Sequence, residues 1–185
     1  EALGVITKLK KDLLLYNGIL HVTMPRGLGW CFSSIGKNIE RCLQTIAMTQ
    51  SYYKPIDYNL DGEEDLLYWR RLLLSLSGYE QYLKSYSNIS HNRKIAQHVV
   101  FNKDFSHSVM YTLELIDKYL ANLSLDHTSH EARTLQNQFG RLKSMVKYTD
   151  YYNLTNQQLE DVLNDTQSQL IQFSSDFSKL FFSYT

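Results

Sequence analysis

The chain has 185 residues, and its 19 basic side chains are balanced by 19 acidic ones. That balance excludes the cationic excess of a nucleic-acid binder and any acidic tail. With 14 Tyr but only 2 Pro and 8 Gly, few residues break helices, and neither β-branched alternation nor hairpin dipeptides occur in quantity.

The pattern predicts an all-α fold: one domain over residues 1–185, a bundle of about six to seven helices ending in a long C-terminal helix. Ala2 to Tyr16 reads as the first helix, with Leu3, Ile6, Leu9, Leu13 and Tyr16 at helical spacing. Asn17-Gly18 supplies a stop signal. Residues 19–26 fit no pattern clearly, and Pro25 breaks or starts a helix there.

Gly27 to Tyr53 is the central helix, ended by Pro55. Cys31, Ile35, Ile39, Cys42 and Ile46 share one face, widened by Phe32 and Leu43. Trp30 and Met48 lie nearly opposite, so burial on both sides is expected. Ser33, Gly36 and Ala47 form a small-residue flank that contains Glu40, a carboxylate expected to be shielded from water and in need of a partner. Cys31 and Cys42 stand about 16 Å apart along this helix. They cannot bridge each other, so both are expected as buried thiols in a reduced, cytoplasmic setting.

After a polar loop, Asp61 is expected to cap a helix with Glu63, Glu64 and Asp65 in its first turn. Leu66, Trp69, Leu73 and Leu76 form its core stripe. Ser77-Gly78 kinks it before Tyr79, Tyr82 and Tyr86. A turn over residues 87–90 leads to a short helix, His91 to Phe101, with Ile95, Val99 and Val100 buried. Asp104 is the expected cap of a helix from Phe105 to Leu123. Residues 124–128 read as a loop, and Ala132, Leu135, Phe139, Leu142 and Val146 mark the next helix. Thr155-x-x-Gln158 is a capping box. Leu159, Leu163, Thr166, Leu170, Phe173, Phe177, Leu180 and Tyr184 then alternate by 4 and 3, a seam that packs on the preceding helix or on a second copy of the chain.

No apolar run approaches the roughly 18 residues of a membrane span, and no signal peptide opens the chain. Gly27-x-Gly29 lacks the strand and third glycine of a dinucleotide loop. There is no phosphate-binding loop, no zinc-protease motif and no nucleophile elbow. His127-x-x-His130 lacks a third ligand at fixed spacing. The expectation is therefore no metal and no cofactor. Ser106-His107-Ser108 sits at a helix start, where it either caps a polar surface or meets an anion through free N–H groups and a protonated His. Glu40 and Arg41, adjacent on a helix, point about 100° apart and cannot pair with each other. Either each is held by a neighbouring helix as a buried clamp, or Glu40 serves a ligand or a proton transfer.

The run TMPRGLGWCFSSIGKNIERCLQT resembles a pattern of the bacterial alpha-E domain family, through Met24, Arg26, Gly29, Trp30, Phe32, Gly36, Glu40, Arg41 and Thr45. Trp69, Leu72, Leu73, Glu80 and Tyr82 resemble a second block, and Phe105, Ser108 and Val109 a third. The blocks come in the family's order and span about half of the chain. Lys37 stands for the usual Arg, Cys42 for Ala, and Ser106-His107 for Pro-Arg. Leu43 and Ala47 replace a charge pair four residues apart. The resemblance implies an all-α, cytoplasmic protein corresponding to the C-terminal half of longer family chains. It also implies company: ATP-grasp ligase-like and transglutaminase-like proteins, with a part in peptide-bond formation or peptide modification.

Three functions compete. The first is an accessory helical module that binds a partner enzyme or its peptide substrate through the C-terminal seam and a tyrosine-rich surface. The second is an enzyme of peptide chemistry, with Glu40 as acid/base and Arg26 or Arg41 orienting an anionic group; His107 and Ser108 are further ligand candidates. The third is a bundle whose charged clamp serves stability alone. No nucleic-acid or membrane partner is expected; self-association through the last helix is the remaining possibility.

Overall fold

The computed structural model describes residues 2–63, 66–86, 91–123 and 130–182. Among these there are eight α-helices and no strand. They are α1 (Ala2–Thr23), α2 (Leu28–Tyr53), α3 (Leu66–Ser75), α4 (Tyr79–Tyr86), α5 (Asn92–Ala96), α6 (Val109–Asn122), α7 (His130–Lys147) and α8 (Asn156–Phe182). A 3-10 turn over Lys54–Ile56 follows α2, and a π-helical turn over Gln97–Phe101 follows α5. The expected turns at 87–90 and 124–128, the side chain of Leu66, and Glu64, Asp65, His127 and Tyr184 lie outside the described residues.

The core is built on α2. Ile35, Ile39, Cys42 and Ile46 are buried on it, along the face the spacing predicts. That face packs along α6 and also meets α8. Both run antiparallel to α2: Thr45 meets His107 at the start of α6, and Gln50 bonds Asn164 while Phe32 lies by Phe177. The α8 seam is buried within the chain from Leu159 to Phe177. It packs antiparallel on α7, with Phe139 against Phe173 at 4.9 Å between ring centres. The capping box forms as the sequence indicates: Gln158 N–H donates to Thr155 Oγ1 at 3.2 Å, and Thr155 N–H donates to Gln158 Oε1 at 2.9 Å.

Several boundaries differ from expectation. α1 runs through Asn17-Gly18 to Thr23. Asn17 donates its side-chain amide back to the Leu13 carbonyl, bonding within the helix rather than ending it. No described residue of α1 is buried, so its apolar side chains, Leu3, Ile6, Leu9 and Leu13 among them, face outward. Trp30 is only half-buried and Met48 is 38 % exposed, so α2 is buried on one side and not on two. Its other face carries Lys37, Glu40 and Gln44, which water solvates.

Asp61 does not cap α3, which begins at Leu66; its carboxylate accepts from Arg93 at 2.8 Å instead. The cap of α6 is Ser108 and not Asp104. Asn102 Oδ1 accepts from the N–H groups of Asp104 and Phe105, folding 102–108 into a loop before the helix can start. The expected kink at Ser77-Gly78 is a full break, with Ser77 left-handed at φ 56°.

Two buried polar centres join the short elements to this frame. Asn92 accepts from Trp69 Nε1 at 2.9 Å, donates to the Asn59 carbonyl at 2.6 Å, and offers its own carbonyl to the Tyr53 hydroxyl. One residue, through its side chain and its backbone carbonyl, thereby ties the end of α2, the 58–62 loop, α3 and α5. His98, on the π-helical turn, is fully buried and stacks on Phe105 at 4.5 Å, with Tyr82 and Tyr86 edge-on. Its Nε2 has no hydrogen-bond partner in good geometry. Burial pushes its pKa from 6.5 down to about 4, against a smaller upward pull from the Gly78 backbone.

The unfolded chain therefore binds a proton at His98 at a higher pH than the folded one does. Stability falls as pH drops from 6.5 towards 4, by on the order of 2–3 kcal/mol from this group. Urea unfolding across that window is expected to show this slope, and His98→Leu is expected to flatten it. A β-carbon on Gly78 would stand 2.5 Å from the Phe105 ring, which is stacked on His98. Gly78→Ala is expected to cost about 1–3 kcal/mol in the same assay, through overpacking.

Candidate functional site

The constraint that buries Ile35, Ile39, Cys42 and Ile46 also places the Glu-Arg pair. At about 100° per residue, Glu40 and Arg41 lie to either side of the face opposite that stripe, with Gln44 and Lys37 between them. Glu40 is exposed and Arg41 half-buried. Neither belongs to a clamp: among the described residues, no ion pair or side-chain hydrogen bond is formed by Glu40 or Arg41. The shielding expected for Glu40 is absent: Ser33, Gly36 and Ala47, which flank it, are themselves exposed.

The pair opens instead onto a groove of about 390 Å³. Its walls are the outer face of α2, the end of α3 at Ser75 and Leu76, and His107. The loop that carries His107 is fixed to α2, because Thr45 donates its hydroxyl to the His107 carbonyl at 2.8 Å. The matching of Thr45 and the 105–108 loop is thus a backbone clamp at the groove's edge. Burial lowers the pKa of His107, and the neighbouring Arg41 charge lowers it further. His107 is therefore neutral at pH 7, a hydrogen-bonding group and not a third cation; Ser106 Oγ lies 3.1 Å from its Nδ1.

The groove thus presents two cations (Lys37 and Arg41), one carboxylate (Glu40), a neutral imidazole and an amide (Gln44), over an apolar patch of Leu76 and Met48. Such a set can hold a ligand that carries both a carboxylate and an ammonium or amide group. Arg41 offers the planar fork that suits a carboxylate.

The structure separates two of the sequence candidates from this group. Ser108 is fully buried, and its hydroxyl is spent: it accepts from Tyr111 N–H at 3.0 Å and donates to the Asn102 carbonyl. It is a helix cap, not a ligand contact. Arg26 lies beyond the start of α2, about 20 Å along the helix from Glu40, and lines a different cavity. It stacks on Trp30 at 3.7 Å and donates to the His21 carbonyl. Arg26 and Arg41 therefore do not converge on Glu40. Lys37, Gln44 and Met48 join the groove without being sequence candidates; the signal for them is their spacing of 3 and 4 around Glu40 and Arg41, which marks the shared face of α2.

Both cysteines are free and buried on α2. Burial raises the Cys42 thiol to about 12, and a hydrogen bond with Thr112 offsets this in part. Cys42 is a packing residue between α2 and α6 and plays no part in the groove.

Comparison with known families gives one match. The model of Alpha-E, described as a predicted alpha-helical domain with a conserved ER motif, covers residues 2–182. Glu-Arg occurs in this chain only at 40–41, so the motif is the pair that faces the groove. Neither a curated protein nor a solved structure matches the chain. Because neither side chain is fully buried or paired among the described residues, Glu40→Gln and Arg41→Gln are each expected to change stability by no more than about 0.5 kcal/mol. In calorimetry that is a Tm change of roughly 1–2 °C. A drop several times larger would return the pair to a clamp role.

Proposed function

The chain belongs to the Alpha-E family, and from that premise we propose that it is an accessory binding module. It holds the charged end of a peptide or amino acid in the Glu40–Arg41 groove and presents it to a partner enzyme of peptide-bond chemistry, of the ATP-grasp ligase-like or transglutaminase-like kind. One observation carries this reading. The only Glu-Arg pair in the chain stands on an open groove, and neither charge has a counter-ion among the described residues. Unsatisfied charges of both signs, a few ångströms of helix apart, suit a zwitterionic or peptide-terminal ligand: Arg41 with Lys37 takes the carboxylate, and Glu40 takes the ammonium or amide. Carboxylates that act as acid/base near neutral pH are commonly shielded from water, and the exposure of Glu40 favours recognition over proton transfer.

A second reading keeps the chain as the enzyme, with Glu40 as acid/base and Arg41 orienting the substrate. The neutral imidazole of His107 in the same groove supports it, since such a group can accept a proton.

Two measurements test the proposal. Free dipeptides and their C-terminal amides are titrated into the protein by calorimetry. The free acid is expected to bind, weakly and with salt sensitivity, and Arg41→Gln is expected to weaken it about tenfold or more, the scale of a charge-assisted hydrogen bond. The intact protein is also expected to co-purify with its ligase-like partner, and Glu40→Gln to lower the partner's turnover while leaving the Tm in place. Equal binding of acid and amide, or indifference to Arg41→Gln, would remove the groove as the ligand site. Turnover by the isolated chain, abolished in Glu40→Gln, would establish the enzyme reading instead.

A further inference from the structure

A second cavity, of about 680 Å³, lies between the α1–α2 junction and the last turns of α6. Its lining differs in kind from that of the first groove. His21, Arg26 and Lys118 supply basic groups, Trp30 and Tyr119 supply rings, and among the described residues none that lines it is an Asp or Glu.

The cations are not neutralised by their neighbours. Arg26 spends one N–H on the His21 carbonyl, and its guanidinium lies flat on Trp30, 3.7 Å from the ring centre. That stack fixes the plane of the fork, and its other N–H groups meet no acceptor among the described residues. Lys118 is exposed and forms no ion pair. Asp117, beside it on α6, is paired with Lys143 of α7. Glu114, one turn back, forms no bridge to Lys118. His21 packs edge-on against Trp30 at 5.6 Å, completing a wall of aromatic and cationic groups. The first turn of α2 opens near this wall, and its N-cap Gly27 has no side chain to satisfy the free N–H groups. Those donors add to the site, while the side-chain cations and the cavity define it.

The volume suits a ligand of nucleotide size. We propose that this cavity binds a phosphate-bearing ligand with a planar ring, of the nucleotide class: Arg26 and Lys118 hold the phosphates, and the ring packs against Tyr119 and Leu28. The site is separate from the Glu40–Arg41 groove and stands or falls without it. A helical module that carries both sites would hold a peptide-like ligand and a nucleotide on one rigid frame, since α2 forms part of both.

The test is calorimetric titration of the intact chain with ATP, ADP and inorganic pyrophosphate. ATP and ADP are expected to saturate with Kd values below about 1 mM, ATP more tightly than pyrophosphate. Lys118→Gln is expected to weaken ATP at least tenfold. Arg26→Gln is expected to do the same, and Arg26→Lys to recover only part of the loss, because an ammonium lacks the fork. Lys84→Gln, on an exposed turn of α4 away from the cavity, is expected to change nothing. Arg26 also holds the α1–α2 junction, so melting curves accompany its variants. If Arg26→Gln fails to fold, Lys118→Gln, which breaks no ion pair among the described residues, decides the matter. The proposal is overturned if none of the three ligands saturates, or if Lys118→Gln binds ATP as the unchanged chain does. Pyrophosphate binding as tight as ATP overturns the nucleotide assignment.

Discussion

The one-sided burial of α2 is the constraint on which the rest of the molecule depends. Ile35, Ile39, Cys42 and Ile46 are removed from water against α6 and α8, and a helix cannot bury that face without turning the opposite one outward. Glu40, Arg41, Lys37 and Gln44 are on that opposite face by geometry. The groove is therefore a by-product of core packing as much as a feature of its own. Its precision comes from the same source: a residue on a long packed helix has little freedom to drift. The bond from Thr45 to the His107 carbonyl extends this rigidity to the facing loop.

The short elements between α2 and α6 are held differently. They bury few residues each, and α5 has only five residues. Their positions are set by Asn92 and His98, polar groups inside an apolar shell. Asn92 is well supplied with partners, so its burial carries little penalty. His98 is not, and it remains neutral because charging it there would be costly. The close fit of Gly78, Phe105 and His98 ties the break after α3 to the loop that bears His107. A core contact thus sits directly behind one wall of the groove.

The two cavities divide the charged groups of α2 by chemistry. One mixes both signs around an open groove, and the other gathers cations and rings at the helix start. The sequence offers Arg26 or Arg41 as the partner that orients an anion beside Glu40. Fifteen positions separate the two arginines, about 20 Å along the helix direction, and each faces different neighbours. Arg26 is oriented by an indole and a carbonyl, whereas Arg41 is flanked by a neutral imidazole and open water.

The all-α character, the buried stripe of α2, the core positions of α7 and the capping box of α8 were legible in the residues. Each is a local periodic or hydrogen-bonding pattern that survives folding unchanged. The Glu40–Arg41 motif was legible too, and so was the fact that its members cannot pair with each other, since helical geometry alone forbids it. Whether they were buried was not, because that depends on which helices pack where. The tertiary structure decided that the small-residue flank stays exposed, that Ser108 is consumed as a cap, and that Arg26 belongs to another cavity. It also decided that Asp61 pairs with Arg93, and that Asn102 binds the N–H groups of Asp104 and Phe105 before α6 begins. Local patterns name the elements; long-range partners decide which polar groups remain free to meet a ligand.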